Sequence, residues 1–257
     1  MKLRGYAALA IVCLGLFLSD FVQRFLITPW VALRPSHRVP VLTRWINMMA
    51  WLVTVPINRV GGARIPRPPR MIPAEPGVLI LMNHQSLFDI PLVVQAVDEG
   101  YPRIVTRKRY GRWIPLISQM TRLYQYPLVD PTANPGTLRR TYVELREMAR
   151  TTTLPVAIFP EGSRSRDGRI REFRTKGVGL LLRARPWKVY VLVADGFWQW
   201  PTFKDFLQGV SAIRGRVELA GVLEWDDPRA DPKAFLEEVR ALMIDRLARM
   251  RSEVAVP

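Results

Sequence analysis

The chain has 257 residues, enough to bury the core of one domain with appended segments, and 49% of them are hydrophobic. Its formal net charge of +16 favours anionic partners, namely nucleic acid, anionic lipid headgroups or phosphorylated substrates. No zinc-ligand spacing or RNA-binding signature appears, so we expect no nucleic-acid partner. The single cysteine, Cys13, excludes a disulfide within the chain, and its apolar neighbours indicate a small hydrophobic side chain rather than a nucleophile.

Residues 1–60 are predicted to form two membrane-associated helices. Residues 6–18 are almost wholly apolar and follow a basic start, which also suits a signal peptide, but no convincing small-residue cleavage pattern follows. A helix that spans a bilayer needs about 20 apolar residues. Extending the stretch to Leu33 takes in Asp20, Gln23 and Arg24. The first helix is therefore expected either to span the bilayer or to be re-entrant.

The second apolar stretch, residues 39–57, carries Arg44 and Asn47 and is rich in Trp and Met, which favours a helix in the membrane interface. Three tryptophans suit the headgroup region: Trp30, Trp45 and Trp51. His37 lies between the two stretches and is expected to be an interfacial loop residue rather than a ligand. The alternative is that both helices form a buried hairpin of a soluble protein.

Residues 61–77 are rich in Pro, Gly and Arg, a composition typical of a linker or an irregular edge segment. We expect this linker to separate the N-terminal helices, residues 1–60, from a domain formed by residues 78–257.

A buried strand is predicted at residues 78–82, followed by the polar stretch Asn83-His84-Gln85-Ser86-Leu87-Phe88-Asp89. Histidine suits general-base work near neutral pH, and a carboxylate can hold its ring and stabilise the imidazolium. A spacing of five residues does not put both side chains on one helix face, so we expect His84 on a loop and Asp89 on the first turn of the next helix. The alternative is a helix cap, formed either by Ser86 with Asp89 or by Asp89 itself, which fits Pro91 better.

The next elements are a helix that runs from Asp89 to about residue 98, with Gly100 as its stop, and a strand at residues 103–107. Three basic residues follow this strand: Lys108, Arg109 and Arg112. A further helix is predicted at residues 134–150 from its apolar spacing.

A second polar stretch, residues 159–168, follows the apolar run at residues 154–158. Gly162 lets the backbone approach a ligand closely, and Arg164 and Arg166 can grip a phosphate with two hydrogen bonds each. A solvated turn of the same composition is the alternative. Two polar loops that follow two buried strands are typical of an α/β sheet, in which ligands bind beyond the carboxyl ends of the strands.

The remaining elements are predicted strands at residues 188–195 and 216–223 and an amphipathic helix at residues 231–251. The expected fold class is therefore α/β, with a mixed, largely parallel sheet flanked by helices and a two-helix membrane-associated segment at the N-terminus.

Together the two polar stretches resemble the glycerolipid acyltransferase family of the 1-acylglycerol-3-phosphate type. The family's first block, Asn-His-x-x-x-x-Asp, is matched by Asn83, His84 and Asp89, and its third block, Phe-Pro-Glu-Gly-Thr-Arg-Ser, is matched at residues 159–165 with Ser163 in place of threonine. The resemblance covers roughly residues 78–196.

The resemblance implies that His84, oriented by Asp89, removes a proton from the acceptor hydroxyl, and that Glu161 and Arg164 bind the acceptor's glycerol and phosphate. Gly162 and Ser163 belong to the same block. A surface ion pair between Glu161 and Arg164 is the alternative.

The family's second block departs from its pattern in this chain. Ser118 stands at a glycine position, and Pro131 replaces an arginine that would contact phosphate. Lys108, Arg109 or Arg112 compensates for the missing arginine, or else these three residues form a basic, lipid-facing surface.

The sequence thus predicts an enzyme that transfers an acyl group from an acyl thioester to a lysoglycerolipid, expected to be 1-acylglycerol-3-phosphate. It is expected to work at the cytoplasmic face of the inner or plasma membrane, with acyl-coenzyme A or acyl carrier protein as donor and with no metal or bound cofactor. Direct transfer is favoured, because no serine or cysteine lies in a nucleophile elbow. The alternatives are another lysophospholipid or lyso-aminolipid as acceptor, or a peripheral anionic-lipid-binding protein without catalysis.

Overall fold

The computed structural model describes residues 2–112, 114, 116–200 and 209–255. Its helices are α1 (Lys2–Val22), α2 (Thr28–Leu33), α3 (Arg38–Arg59), α4 (Asp89–Ala96), α5 (Ile117–Leu123), α6 (Pro135–Thr151), α7 (Thr175–Leu182) and α8 (Pro232–Ala255). A π-helical turn covers Gln23–Ile27, and 3₁₀ turns cover Pro35–His37, Lys108–Gly111 and Val210–Ala212. The strands are β1 (Ile72–Pro73), β2 (Val78–Met82), β3 (Val97–Asp98), β4 (Arg103–Ile104), β5 (Thr106–Arg107), β6 (Leu128–Val129), β7 (Val156–Ile158), β8 (Trp187–Asp195) and β9 (Arg216–Trp225).

The main sheet has five strands in the order β4-β7-β2-β8-β9. Strands β4, β7, β2 and β8 run parallel, and only β9 is antiparallel to its neighbour β8. Leu79 of β2 lies between Val156 of β7 and Val189 of β8. The predicted α/β class with a mixed, largely parallel sheet is confirmed.

All five residues of β2 are buried, because helices cover both faces of the sheet. Successive side chains of a strand point to opposite faces, so Leu79 and Leu81 enter one hydrophobic core while Ile80 and Met82 enter the other. The first core contains residues of α6, α7 and α8, and the second contains residues of α1, α3, α4 and α5.

The apolar N-terminal segment is helical from Leu3 to Leu33, 31 residues that are long and apolar enough to cross a membrane. The helical structure continues through Asp20, Gln23 and Arg24, the polar residues that left the length of the predicted helix open. Arg24 pairs with Asp20 at 2.8 Å, and the other carboxylate oxygen of Asp20 accepts a hydrogen bond from the Leu116 amide. These partners compensate the polar groups within the apolar helix.

Helix α3 packs against α1 and α4 and buries one of its faces. Trp45 is 7% exposed and donates through Nε1 to the side chain of buried Gln23, so its predicted place in the headgroup region is wrong. The hydrogen bond explains why, since a buried indole N–H needs an acceptor and Gln23 provides one. Trp30 and Trp51 are exposed, and His37 lies in the turn before α3.

Residues 61–77 lie against the rest of the chain at several points. Ala63 and Ile65 are buried, Arg64 forms a bridge with Arg214, and β1 pairs with β3 in a parallel two-stranded sheet. The division of the chain into residues 1–60, 61–77 and 78–257 stays a prediction.

The helix that starts at Asp89 ends two residues earlier than predicted. Val97 adopts an extended backbone because it belongs to β3, so the helix has already ended before Gly100, and it is Glu99, with φ of 49°, that is left-handed. Gly100 instead lies where an added Cβ would stand 2.2 Å from the Cβ of Ala74. The predicted strand at residues 103–107 is divided, with β4 in the main sheet and β5 paired with β6.

Candidate active site

The two polar stretches meet beyond the carboxyl ends of β2 and β7, which are neighbours in the sheet. Two hydrogen bonds join them. The His84 amide donates to Oε1 of Glu161 at 2.8 Å, and the Ser165 amide donates to the His84 carbonyl at 2.6 Å. The loop that carries the histidine is therefore held in place by the loop that carries Glu161.

His84 and Asp89 form the predicted pair, with 2.7 Å between Nδ1 of the ring and Oδ2 of the carboxylate. Asp89 is fully buried on the first turn of α4, and the His84 side chain is 17% exposed. A ring whose Nδ1–H donates to a carboxylate carries its lone pair on Nε2. No residue of the described part of the chain hydrogen-bonds Nε2. This nitrogen can thus accept a proton from a substrate.

The same carboxylate oxygen of Asp89 also accepts the amides of Gln85 and Ser86, at 2.7 and 2.8 Å. Asp89 is the first residue of α4, and its carboxylate turns back to the preceding loop, so the alternative in which Asp89 is the N-cap is wrong. Ser86 does not cap the helix either, because its hydroxyl accepts the Phe88 amide only two residues on, at 3.4 Å. Asp89 thus shapes the loop as well as the imidazole.

Phe159 stacks on the His84 ring, with centroids 4.3 Å apart and planes inclined by 23°. The ring is therefore fixed on one side by an aromatic face and at Nδ1 by a carboxylate. Such a histidine loses little freedom when a substrate binds, which is the preorganisation that proton transfer needs.

Asn83 and Gln85, on either side of His84, attach its loop to β8. The Asn83 amide group donates to the Ala194 carbonyl at 2.9 Å and accepts the Ala194 amide at 2.7 Å. Gln85 donates to Asp195 at 3.4 Å and accepts the Phe197 amide at 3.2 Å. The role of Asn83 in the motif is therefore to hold the loop against β8.

Glu161 is 2% exposed, and both of its carboxylate oxygens are occupied. Oε1 accepts the His84 amide, and Oε2 accepts the Arg171 amide at 3.0 Å. Burial raises the pKa of Glu161, and these two amide hydrogen bonds only partly oppose the rise. Among the described residues Glu161 forms no ion pair with Arg164, so its carboxylate connects loops.

The residues after Glu161 present an arginine to solvent. Gly162 has φ of +66°, and its carbonyl accepts Nη2 of Arg107 at 2.5 Å. The Ser163 hydroxyl accepts Nη1 of Arg171 at 2.7 Å. Arg164 is exposed, and no described residue pairs with its guanidinium. Its five donors are therefore available to an anion such as a phosphate.

Lys108 and Arg109 lie on the 3₁₀ turn that follows β5, and both are exposed. Arg109 lies over the Tyr110 ring, with the guanidinium carbon 4.9 Å from the ring centroid. In the second block, the Ser118 hydroxyl donates to the Ile114 carbonyl at 2.6 Å, and Asp130 binds Thr132. Trp113 and Pro115, which belong to the same block, lie outside the described residues.

Arg107 and Arg171 contact the third block but were not predicted as site residues. The position of Arg107 at a strand end, one residue before Lys108, was the available signal. No sequence signal points to Arg171, because the chain from Gly162 to Arg174 has no regular structure from which contacts can be inferred. Among the described residues no three His, Cys, Asp or Glu side chains lie close enough together to hold a metal ion.

The chain is similar in sequence to curated proteins. It resembles two curated relatives called 1-acyl-sn-glycerol-3-phosphate acyltransferase. The one from Cocos nucifera is 26% identical over 139 residues, which is 54% of this chain and 41% of the relative. The one from Limnanthes douglasii is 26% identical over 138 residues, which is 54% of this chain and 45% of the relative. The matched region thus spans less than half the length of these relatives.

The fold is similar to the crystal structure of the 1-acyl-sn-glycerophosphate (LPA) acyltransferase PlsC from Thermotoga maritima, with a TM-score of 0.69 over 96% of this chain and 98% of that chain. The two sequences are 15% identical, so this likeness concerns the fold. The family model described as Acyltransferase matches residues 66–194, half of the chain and both polar loops. The chain therefore belongs to the acyltransferase family.

Proposed function

We propose that this protein transfers a fatty acyl group from an acyl thioester to the free hydroxyl of 1-acylglycerol-3-phosphate, which gives phosphatidic acid. The names of the curated relatives support this substrate. The observation that carries the proposal is the geometry of His84, whose Nδ1 lies 2.7 Å from a fully buried carboxylate.

In the proposed reaction, Nε2 of His84 takes the proton of the acceptor hydroxyl as that oxygen attacks the thioester carbonyl. The imidazolium that forms is stabilised by the negative charge of Asp89. When the tetrahedral intermediate collapses, the C–S bond breaks, and the departing thiolate takes the proton from His84. Ester and free thiol are the products, and the histidine returns to its starting state.

The acyl group passes directly to the acceptor in this proposal. Cys13 is exposed on the apolar N-terminal helix, and the Ser86 hydroxyl already binds the Phe88 amide. Neither side chain is placed beside His84 as a nucleophile beside its base.

Arg164 is proposed to hold the acceptor's phosphate, since its guanidinium is exposed on the loop that directly contacts the His84 loop. Lys108 and Arg109 are proposed as additional cations for the same group. The role of Glu161 is proposed to be indirect, because both of its oxygens are engaged by backbone amides of the two loops.

The apolar helix from Leu3 to Leu33 is proposed to hold the enzyme in a bilayer, with the site at the cytoplasmic face. There the lipid acceptor and the product both stay in the membrane. The donor is acyl-coenzyme A or acyl carrier protein, and the residues of the site require no metal or bound cofactor for the steps above.

A different acceptor is the second candidate, and a particular residue favours it. Pro131 stands where the family resemblance implies an arginine. The neighbouring Asp130 engages Thr132. Another lysophospholipid or a lyso-aminolipid would keep the same base and the same reaction. A protein that only binds anionic lipid would explain the charge, but it would not need a histidine so firmly oriented.

Acyl transfer by the purified, detergent-solubilised protein tests these proposals. Labelled acyl-coenzyme A or acyl carrier protein is offered with lysolipids that carry or lack a phosphate. We expect transfer to 1-acylglycerol-3-phosphate. Transfer only to another lysolipid would keep the mechanism and change the substrate, whereas no transfer to any acceptor by folded protein would leave the lipid-binding alternative.

A further inference from the structure

A groove rimmed by arginines lies on the outer surface of α6 and α7, on the sheet face opposite the N-terminal helices. It consists of two adjoining depressions of about 310 and 350 Å³ that share Arg146 and Leu180. We call it the arginine-rimmed groove. Its floor is apolar and is formed by Leu138, Tyr142, Val143 and Leu180, and its rim is formed by Arg139, Arg146, Arg183 and Arg229.

None of the four rim arginines has an ion-pair partner among the described residues, and the nearby Asp227 carboxylate accepts the backbone amide of Arg229 at 2.8 Å. Among the described residues none of their guanidinium groups forms an ion pair or a hydrogen bond, and no carboxylate lines either depression. In contrast, Arg150 on the same helix pairs with Glu147, and Arg249 on α8 pairs with Asp245. The four guanidinium groups at the groove are therefore free to pair with carboxylates of a partner.

The floor exposes apolar surface that no described residue covers. Val143 is 63% exposed in the middle of α6. Arg139 and Arg146 stand one turn before and one turn after it on the same helix face. An apolar centre within a polar rim, with arginine enriched, is the usual anatomy of a protein–protein interface.

The position of the groove favours a partner from the aqueous phase. The sheet separates it from the apolar helix between Leu3 and Leu33, since their side chains belong to different cores. The groove also lies close to the site along the chain. The Arg174 amide donates to the Pro160 carbonyl at 2.8 Å, and α7 starts at the next residue. Leu180 then follows within about 8 Å of helix rise.

We propose that this groove binds an acidic helix of acyl carrier protein, and that this protein delivers the acyl thioester to His84. The inference rests on the proposed acyl transfer and names its donor. The carrier's carboxylates would pair with the rim arginines, and an apolar side chain of its helix would cover Val143. Its flexible prosthetic arm would carry the thioester past the start of α7 to the site.

The test compares two donors in two double variants of the full chain. Arg139→Glu with Arg146→Glu reverses two rim charges, and Arg59→Glu with Arg67→Glu makes the same charge change at exposed arginines of the N-terminal part of the chain. We expect the rim variant to raise KM for acyl carrier protein at least about tenfold and to leave transfer from acyl-coenzyme A unchanged. The matched control should leave both donors unaffected. An equal loss with both donors, or no loss with either, would overturn the proposal.

Direct binding separates the failure of this inference from the failure of the proposed function. Fluorescence anisotropy of labelled, unacylated carrier protein measures docking without any chemistry. Weaker binding by the rim variant and by Val143→Asp supports the groove even if no acyl transfer is found. If the unaltered chain binds no carrier protein, or if all variants bind it equally, the groove is not its docking site.

Discussion

A single carboxylate oxygen of Asp89 accepts three donors: the imidazole N–H and two loop amides. Its other oxygen, Oδ1, is buried and has no hydrogen-bond partner among the described residues. The amide dipoles at the start of α4 favour a negative charge at this place. Asp89 therefore orients the histidine, supplies its counter-charge and fixes the shape of the loop.

His84→Ala should lower kcat by about 10²–10⁴-fold, because it removes the proposed general base while Asp89 stays satisfied by two amides. The protein should still melt cooperatively and still bind membranes, which circular dichroism and vesicle flotation check. Activity close to that of the unaltered protein would remove the proposed mechanism.

Asp89→Asn removes the negative charge of this side chain and keeps its size and shape. The amide oxygen can still accept the loop amides, but the imidazolium loses its counter-charge, and we expect a loss in kcat of about 10²–10⁴-fold. A circular dichroism spectrum like that of the unaltered protein is the control for folding. Full activity would show that the charge is not needed.

Glu161 provides a prediction about pH. Burial raises its pKa in the folded chain above the ordinary value of a glutamate side chain. As the pH rises above about 4.5, Glu161 ionises first in the unfolded chain. The free energy of unfolding therefore falls with rising pH until the pKa of Glu161 in the folded chain has been passed. Glutamine does not titrate, and it leaves one backbone amide without an acceptor, so Glu161→Gln should cost about 1–3 kcal/mol.

This cost should be largest at acidic pH and should decrease as the pH rises. Unfolding followed by circular dichroism at several pH values measures the difference in unfolding free energy between the two proteins. A difference that grows with pH would contradict the raised pKa.

Among the elements, helix α8 contacts both loops of the candidate site through Arg251. Arg251 donates to both oxygens of Asp195, at 2.8 and 3.0 Å, and to the Gly168 carbonyl at 2.8 Å. Asp195 in turn accepts Gln85 from the His84 loop. The last helix thereby ties together both loops of the site. The hydrogen bond with Asp195 also raises the pKa of Arg251.

Arg251→Met should lower kcat several-fold, because both loops lose a shared support, while its effect on stability should stay near about 1 kcal/mol at this partly exposed position. Arg251→Lys should restore part of the activity. Arg249→Met is the matched control, since within the described part of the chain Arg249 pairs only with Asp245, on the exposed side of the same helix. Equal kinetics for both methionine variants would show that the Asp195 pair does not support the loops.

The sequence predicts those parts of the fold that have strong local signals. The apolar runs that became β2 and β8 are long enough to be recognised, and His84 with Asp89 follows a defined spacing. The two-residue strands β3 and β5 have no such signal, since their pairing depends on contacts far along the chain. The same holds for Glu161, whose partners became visible only when the two loops came together.

For the whole molecule, the main feature is the exposed apolar surface of α1. Phe17 and Phe21 are 69% and 62% exposed and stand one turn apart, whereas Ala8 and Val12 on the other side enter the core. One face of the helix therefore packs against the protein core, and the opposite face exposes apolar side chains.

Replacing Phe17 and Phe21 by arginine should weaken binding to the bilayer, because each charged side chain costs up to about 2.5–3.5 kcal/mol in an apolar membrane environment. Vesicle flotation measures the effect, and the melting temperature should stay nearly unchanged. The control is Ile244→Arg, which introduces arginine at a partly exposed apolar position of α8. Unchanged flotation of the double variant would exclude this face from membrane contact.

The sheet edge that carries His84 borders both faces of the sheet, which have separate cores and different surfaces. If the lipid comes from the side of α1 and the carrier from the side of α6, the two substrates do not compete for one path. Turnover then depends on the surface density of one substrate, which diffuses in two dimensions, and on the bulk concentration of the other, which diffuses in three. Diluting the acceptor within the membrane should slow the enzyme without changing its saturation by the donor.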